Sequence, residues 1–161
     1  VLIGTLRAQA ERKAADSSDP SGSNPASQEL VLLCGACREP VAAYDGYLYV
    51  SLSAVGAYER AEEAWDRQHP EGAAIDLHEM LGMPDPVQWR VTHNRCDERP
   101  HFEDCYHISP ERITTWSALT RWSAHLMCKN WLAVTDWDEL LREAAGDVPA
   151  TRIRAAGSVA A

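Results

Sequence analysis

Phenylalanine occurs once and lysine twice in these 161 residues, and no stretch approaches the roughly 20 apolar residues that a membrane-spanning helix needs. The first scarcity leaves six Trp, five Tyr and the aliphatic side chains to build a core. The second leaves 13 Arg, with the two Lys, to carry the positive charge against 24 Asp and Glu, for a net −9. Phosphate binding depends on cationic side chains, so the average field of the chain disfavours non-specific nucleic-acid binding without excluding a local contact. A Gly-rich phosphate loop and a G-x-S-x-G nucleophile elbow are both missing. The opening VLIGTLRAQA is a short apolar stretch with Arg7 inside it, a poor match to a signal peptide. Five cysteines make an odd number, and two of them form a C-x2-C pair. Metal-bound thiolates in a reducing cytoplasm explain this better than a disulfide framework.

The chain divides into three stretches. Residues 1–28 contain AADSSDPSGSNPAS, which has no apolar periodicity and reads as a disordered segment. The first residue is Val rather than Met, which suggests a fragment or an alternative start. Residues 29–145 carry the periodic patterns of a folded domain, and 146–161 read as a flexible tail. Within the domain, ELVLL, VQWRVTH and CYHI are expected as strands. PVAAY and YLYVSL flank Asp45-Gly46, a strong hairpin signal, with Tyr47 and Tyr49 on one face as candidate exposed anchors. AYERAEEAWDRQ and AIDLHEMLGMP are expected as helices. Ser109 and Pro110 would cap a long helix in which Ile113, Trp116, Leu119, Trp122 and Leu126 form a buried stripe. Thr135 would cap a last helix, DWDELLREAA. The expected class is α+β: a small antiparallel sheet with a helical insertion and a C-terminal helical pair.

The chemistry lies in the soft ligands. Zinc takes four of them in a tetrahedron, and pairs spaced two apart suit a tight turn. Cys34-x2-Cys37 and His93-x2-Cys96 are two such pairs, each following an expected strand. This strand–turn placement resembles zinc ribbons over Leu30 to Ile108, although one ligand is His and the spacer between the pairs is long. The resemblance implies a zinc-ribbon-like sheet. Closed Cys3His coordination implies a structural Zn2+, because catalytic zinc keeps a position open for water. His101, Cys105 and His107 stand close enough in sequence to replace His93 or join Cys96, and the cysteines could instead be small buried hydrophobes. The run from the Trp before H-x2-C through YHIS, AHLMCKNWL and TDW is also similar to small uncharacterised proteins of actinobacteria and their phages, a likeness that implies a shared domain and no activity.

Other signals are weaker. His78-Glu79 lacks the second His of H-E-x-x-H, since Gly82 stands there, and THNR lacks the rest of a nuclease metal motif. Arg121, His125 and Lys129 fall at four-residue steps on the polar side of the expected long helix. They read either as a solvated face or as a strip for phosphate or an acidic partner surface. The last two helices make a poor helix-turn-helix, because the connection is long and the second helix is acidic. The expectation is a zinc-binding adaptor or regulator with a protein partner and no enzymatic role. A nucleic-acid-associated regulator is the alternative, and a metal-dependent enzyme the least favoured reading.

Overall fold

The computed structural model describes residues 28–70, 74, 76–97 and 104–158. Two three-stranded antiparallel sheets share a core with the helices, so the class is α+β. The first sheet has the order β2-β1-β6, from β1 (Leu30–Leu33), β2 (Pro40–Val41) and β6 (Ile153–Ala155). Leu32 faces Val41 on one side and Ile153 on the other, and all three are buried. The second sheet has the order β4-β3-β5, from β3 (Gly46–Ser51), β4 (Arg90–His93) and β5 (Cys105–Ile108). Leu48 sits between Val91 and Ile108, again all buried. In each sheet a central strand is locked on both edges by aliphatic cross-strand partners, which fixes register.

Helix α1 (Leu52–Gln68) starts where β3 stops. Ser51 turns the chain, its Oγ accepting a hydrogen bond from the Ala54 N–H at 3.2 Å. A short α2 (Leu77–Met80) follows. Helix α3 (Trp116–Leu126) packs Leu119 and Leu126 into the core, and α4 (Trp137–Ala145) adds Trp137, Leu140 and Ala144. The stripe expected from Ile113 through Leu126 is present, with Ile113, Leu119 and Leu126 buried and Trp116 and Trp122 half-buried against the core.

Four local expectations are corrected. Asp45-Gly46 does not close a hairpin. The Asp45 N–H donates to the Ala42 carbonyl at 3.2 Å with Tyr44 at φ 65°, and the turn sends β2 and β3 into different sheets. The helix expected to open at Ser109-Pro110 opens later, at Trp116, after a 3-10 turn at Pro110–Arg112. The β-branched run Ile113-Thr114-Thr115 then leaves helical geometry, and the Thr114 carbonyl accepts from the Leu30 N–H at 2.8 Å. Thr115 caps α3 in its place, accepting from the Ala118 N–H at 3.2 Å. Thr135 does not cap α4, whose N-cap is Asp136. The Thr135 hydroxyl is taken by the Trp89 indole N–H, at 3.1 Å. Finally, part of the stretch read as a flexible tail is β6, which pairs with β1 from Leu30 to Leu32. Most of the stretch read as disordered, residues 1–27, lies outside the described residues.

Candidate metal centre

The Cys34–Cys37 turn leaves the end of β1. Its Cys34 N–H donates to the Glu39 carbonyl at 2.9 Å, the Arg38 N–H returns to the Cys34 carbonyl at 2.8 Å, and Arg38 takes φ 65° to close the loop. The second turn leaves β4 as a 3-10 turn at Asn94–Cys96, directly after His93. The Gly35 N–H donates to the Val91 carbonyl at 2.9 Å and so ties the first turn to β4, the strand that carries His93. Each ligand pair therefore comes from a different sheet, and backbone hydrogen bonds bring them together.

Cys34, Cys37, His93 and Cys96 each offer one ligand atom, and these four atoms lie within 4.8 Å of one another. The Cys37 Sγ is 3.3 Å and the Cys96 Sγ 3.9 Å from His93 Nδ1. A zinc tetrahedron with ordinary Zn–S and Zn–N bonds has edges of roughly 3.5–3.8 Å, so the donors are spaced to receive such an ion. The histidine is oriented for it as well. Nε2 is 3.0 Å from the Pro40 carbonyl, which can only accept, so Nε2 carries the proton and the Nδ1 lone pair faces the sulfurs. Asp45 stands behind the ring, 3.6 Å from Nε2, and Arg95 is 3.7 Å from the same carboxylate oxygen.

The thiols respond to this crowding in opposite directions. Burial pushes the Cys34 thiol up, yet the backbone N–H groups of Cys37, His93 and Ala36 outweigh it and bring it down to about 6. Cys96 is pushed up, first by desolvation and then by the Cys37 and Cys34 sulfurs. Three sulfurs packed together cannot all become thiolates without a compensating cation. A divalent ion removes that conflict and uses all four donors.

Of the alternative ligands, Cys105 is placed elsewhere. It pairs with Ser51 at one end of β3, whereas His93 pairs with Gly46 at the other end, about 16 Å away by strand rise. His107 lies on the same strand, opposite Tyr49, with its ring edge-on to Tyr47. His101 lies outside the described residues. Cys128 is exposed beyond the end of α3. The Arg121–His125–Lys129 strip is interrupted, because α3 ends at Leu126. Arg121 and His125 are exposed on the helix, and His125 lies edge-on to Trp122 at 5.1 Å. Lys129 is half-buried past the helix end, its ammonium 5.8 Å from the Tyr106 ring centre. The tyrosines considered as exposed anchors are drawn inward: Tyr47 is buried and bonds Asp97, and Tyr49 is half-buried.

Residues that sequence reasoning did not single out also shape this region. Arg152 is only 11% exposed and joins two carboxylates: Asp136 at 2.5 Å and Glu143 at 2.7 Å. Asp136 also accepts the Trp89 N–H at 2.7 Å, and Arg152 reaches the Trp89 carbonyl at 3.3 Å. These groups bond the backbone N–H and carbonyl of Trp89, the residue just before β4. No sequence signal marked them, since Arg152 lies in a Pro- and Ala-rich stretch. No helix among the described residues is long and apolar enough to cross a membrane. Comparisons with known protein families, curated proteins and solved structures return no match.

Proposed function

We propose that this is a zinc-clamped, non-enzymatic adaptor or regulatory protein that acts through protein partners. One observation carries the reading: three sulfurs and one imidazole nitrogen, delivered in two pairs by two different sheets, lie within 4.8 Å of one another. Soft thiolates with one imidazole favour zinc, and four protein donors complete its tetrahedron. Zinc held by all four donors has no open position for water, so its role is to fasten the β1 turn to the β4 turn. Acidic charge supports a protein partner over nucleic acid, because the chain carries −9 overall and the Arg121–Lys129 strip is broken by the end of α3.

The test has two parts. Elemental analysis of purified protein is expected to give about one zinc per chain, and X-ray absorption should show a shell of three sulfurs and one nitrogen. Affinity purification of the native protein from its own source is expected to recover a stoichiometric protein partner that survives nuclease treatment. Tight nucleic-acid binding with a steep salt dependence would replace the adaptor reading by that of a nucleic-acid-associated regulator.

A further inference from the structure

Among the described residues seven large hydrophobic side chains are exposed, and four of them fall in one short stretch: Leu77, Met80, Leu81 and Met83, at 76, 54, 79 and 49%. Leu77, Met80 and Leu81 follow the i, i+3, i+4 pattern of one helical face, and the Leu81 N–H continues α2 by donating to the Leu77 carbonyl at 3.3 Å. An apolar stripe facing water is the unusual observation here, not exposure of single residues. Met83 leads directly into Pro84, which forms one wall of a cavity of about 780 Å³. The opposite wall is α1, through Ala54, Ala57, Tyr58 and Ala61. Among the described side chains of α1, a helix of 17 residues, only Val55 is fully buried. A long helix with so little of its surface covered leaves a face on which another element can seat.

The charge around the groove selects the occupant. From Leu52 to Asp85 the described side chains carry six carboxylates against two arginines, Arg60 and Arg67. Asp85 and Asp104 line the cavity itself beside one arginine, Arg90, and Glu62 adjoins the Tyr58 hydroxyl. A second copy would bring the same carboxylates face to face, and an anionic lipid surface would be repelled in the same way. A cationic, amphipathic helix satisfies both features: its apolar stripe covers the leucines and adaptable methionines, and its Lys or Arg flanks meet the carboxylates.

We propose that the groove between α1 and Pro84–Gln88, with the Leu77–Met83 stripe beside it, docks a basic amphipathic α-helix of another protein. The inference deepens the adaptor reading above and rests on it. Methionine side chains adapt to different apolar partners, so the surface recognises the pattern of charge and hydrophobicity rather than one sequence.

The test uses the full, zinc-loaded chain and a fluorescein-labelled Leu/Lys amphipathic helix, with a Leu/Glu helix of the same pattern as control. The Leu/Lys helix is expected to bind saturably and one to one, and the control not to bind. Met80→Ser with Leu81→Ser is expected to weaken binding by roughly tenfold, as is Ala57→Arg with Ala61→Arg, without changing zinc content or the melting temperature. All four positions are exposed, so the folded state should tolerate them. No binding, or binding that high salt abolishes and that both double variants retain in full, overturns the proposal. So does a dimer that Leu81→Ser dissociates, which would assign the face to a second copy, or a gain in affinity on deleting residues 1–27, which would assign it to the chain itself. If the native partner still binds both double variants, this surface falls while the adaptor reading stands. If no native partner exists but the peptide binds, the reverse holds.

Discussion

His93 is held at both ring nitrogens, by the Pro40 carbonyl on one side and by the sulfur cluster on the other. Its side chain is 1% exposed, so it cannot swing away to another role. His93→Ala removes a donor and orphans a carbonyl, and Cys37→Ser removes a soft ligand while keeping the shape. Both are expected to lower bound zinc well below one per chain and to depress the melting temperature. Cys105→Ser and Cys128→Ser are expected to retain the metal, because neither sulfur stands at the site; elemental analysis after desalting separates the two groups. Full zinc in Cys37→Ser would remove that residue from the donor set. Gly46, the cross-strand partner of His93, is equally constrained: a Cβ there would lie 2.1 Å from the Thr92 carbonyl oxygen and 2.8 Å from the His93 Cα. Gly46→Ala is therefore expected to cost about 1–3 kcal/mol, read from chemical denaturation, and to loosen zinc binding with it. At this scale the meeting of Cys34, Cys37, His93 and Cys96 was legible, because each pair is set by local spacing after a strand. The Pro40 carbonyl and Asp45 were not, because they reach His93 only through the way the chain turns between two sheets.

Among the elements, the entry to β6 is joined by charge to both ends of α4, through Asp136 and Glu143. Glu143 is 3% exposed and accepts from the backbone N–H groups of Thr151 and Arg152, at 2.7 and 2.6 Å, as well as from both their side chains. Burial pushes its carboxyl up, but these hydrogen bonds outweigh that and hold it below the usual carboxylate value. A carboxyl with a lowered folded pKa stabilises the protein fully above its unfolded value, about 4.3 for Glu, and loses that contribution as pH falls through the folded value. Stability of the native chain is thus expected to fall on acidification below that range, and Glu143→Gln to be less stable at neutral pH with a shallower acid limb. Melting curves across the acidic range decide this; parallel limbs would show that Glu143 is not the group responsible. Arg152→Ala leaves two buried carboxylates without their cation and is expected to cost about 3–5 kcal/mol. The reason this stretch read as a loose tail is physical. A strand of three residues with one buried aliphatic, Ile153, has almost no local signal, and its stability comes from β1, remote in sequence, and from the Asp136 and Glu143 carboxylates of α4. The α3 start was misplaced for a related reason, since Thr114 bonds the Leu30 N–H instead of continuing a helix. The strands β1 and β4 were legible because most of their apolar residues are themselves buried, and β5 because it ends on the buried Ile108.

Across the whole molecule, the proposed metal site and the shared core would hold the same two sheets in different ways. The core joins them through apolar contact, with Leu32 and Ile153 from one sheet and Leu48 and Val91 from the other in a single cluster. The proposed metal would join them at one end, where the Cys34–Cys37 turn meets β4 through the Gly35–Val91 hydrogen bond. Magnitudes indicate which matters more. A structural zinc contributes about 10–16 kcal/mol of apparent binding energy in small zinc domains, against a net stability of about 5–15 kcal/mol for a typical domain. Removing the ion while the core stays intact would also leave three crowded sulfurs and a buried imidazole to be solvated or protonated. Treatment with a strong chelator is therefore expected to abolish the cooperative melting transition, and hydrogen exchange should show β1, β2 and β6 losing protection together with β4. Re-addition of zinc should restore both. If the metal-free chain keeps its transition and only the Cys34–Cys37 and His93–Cys96 turns exchange faster, then the core alone holds the sheets together, and the clamp acts locally on the turns.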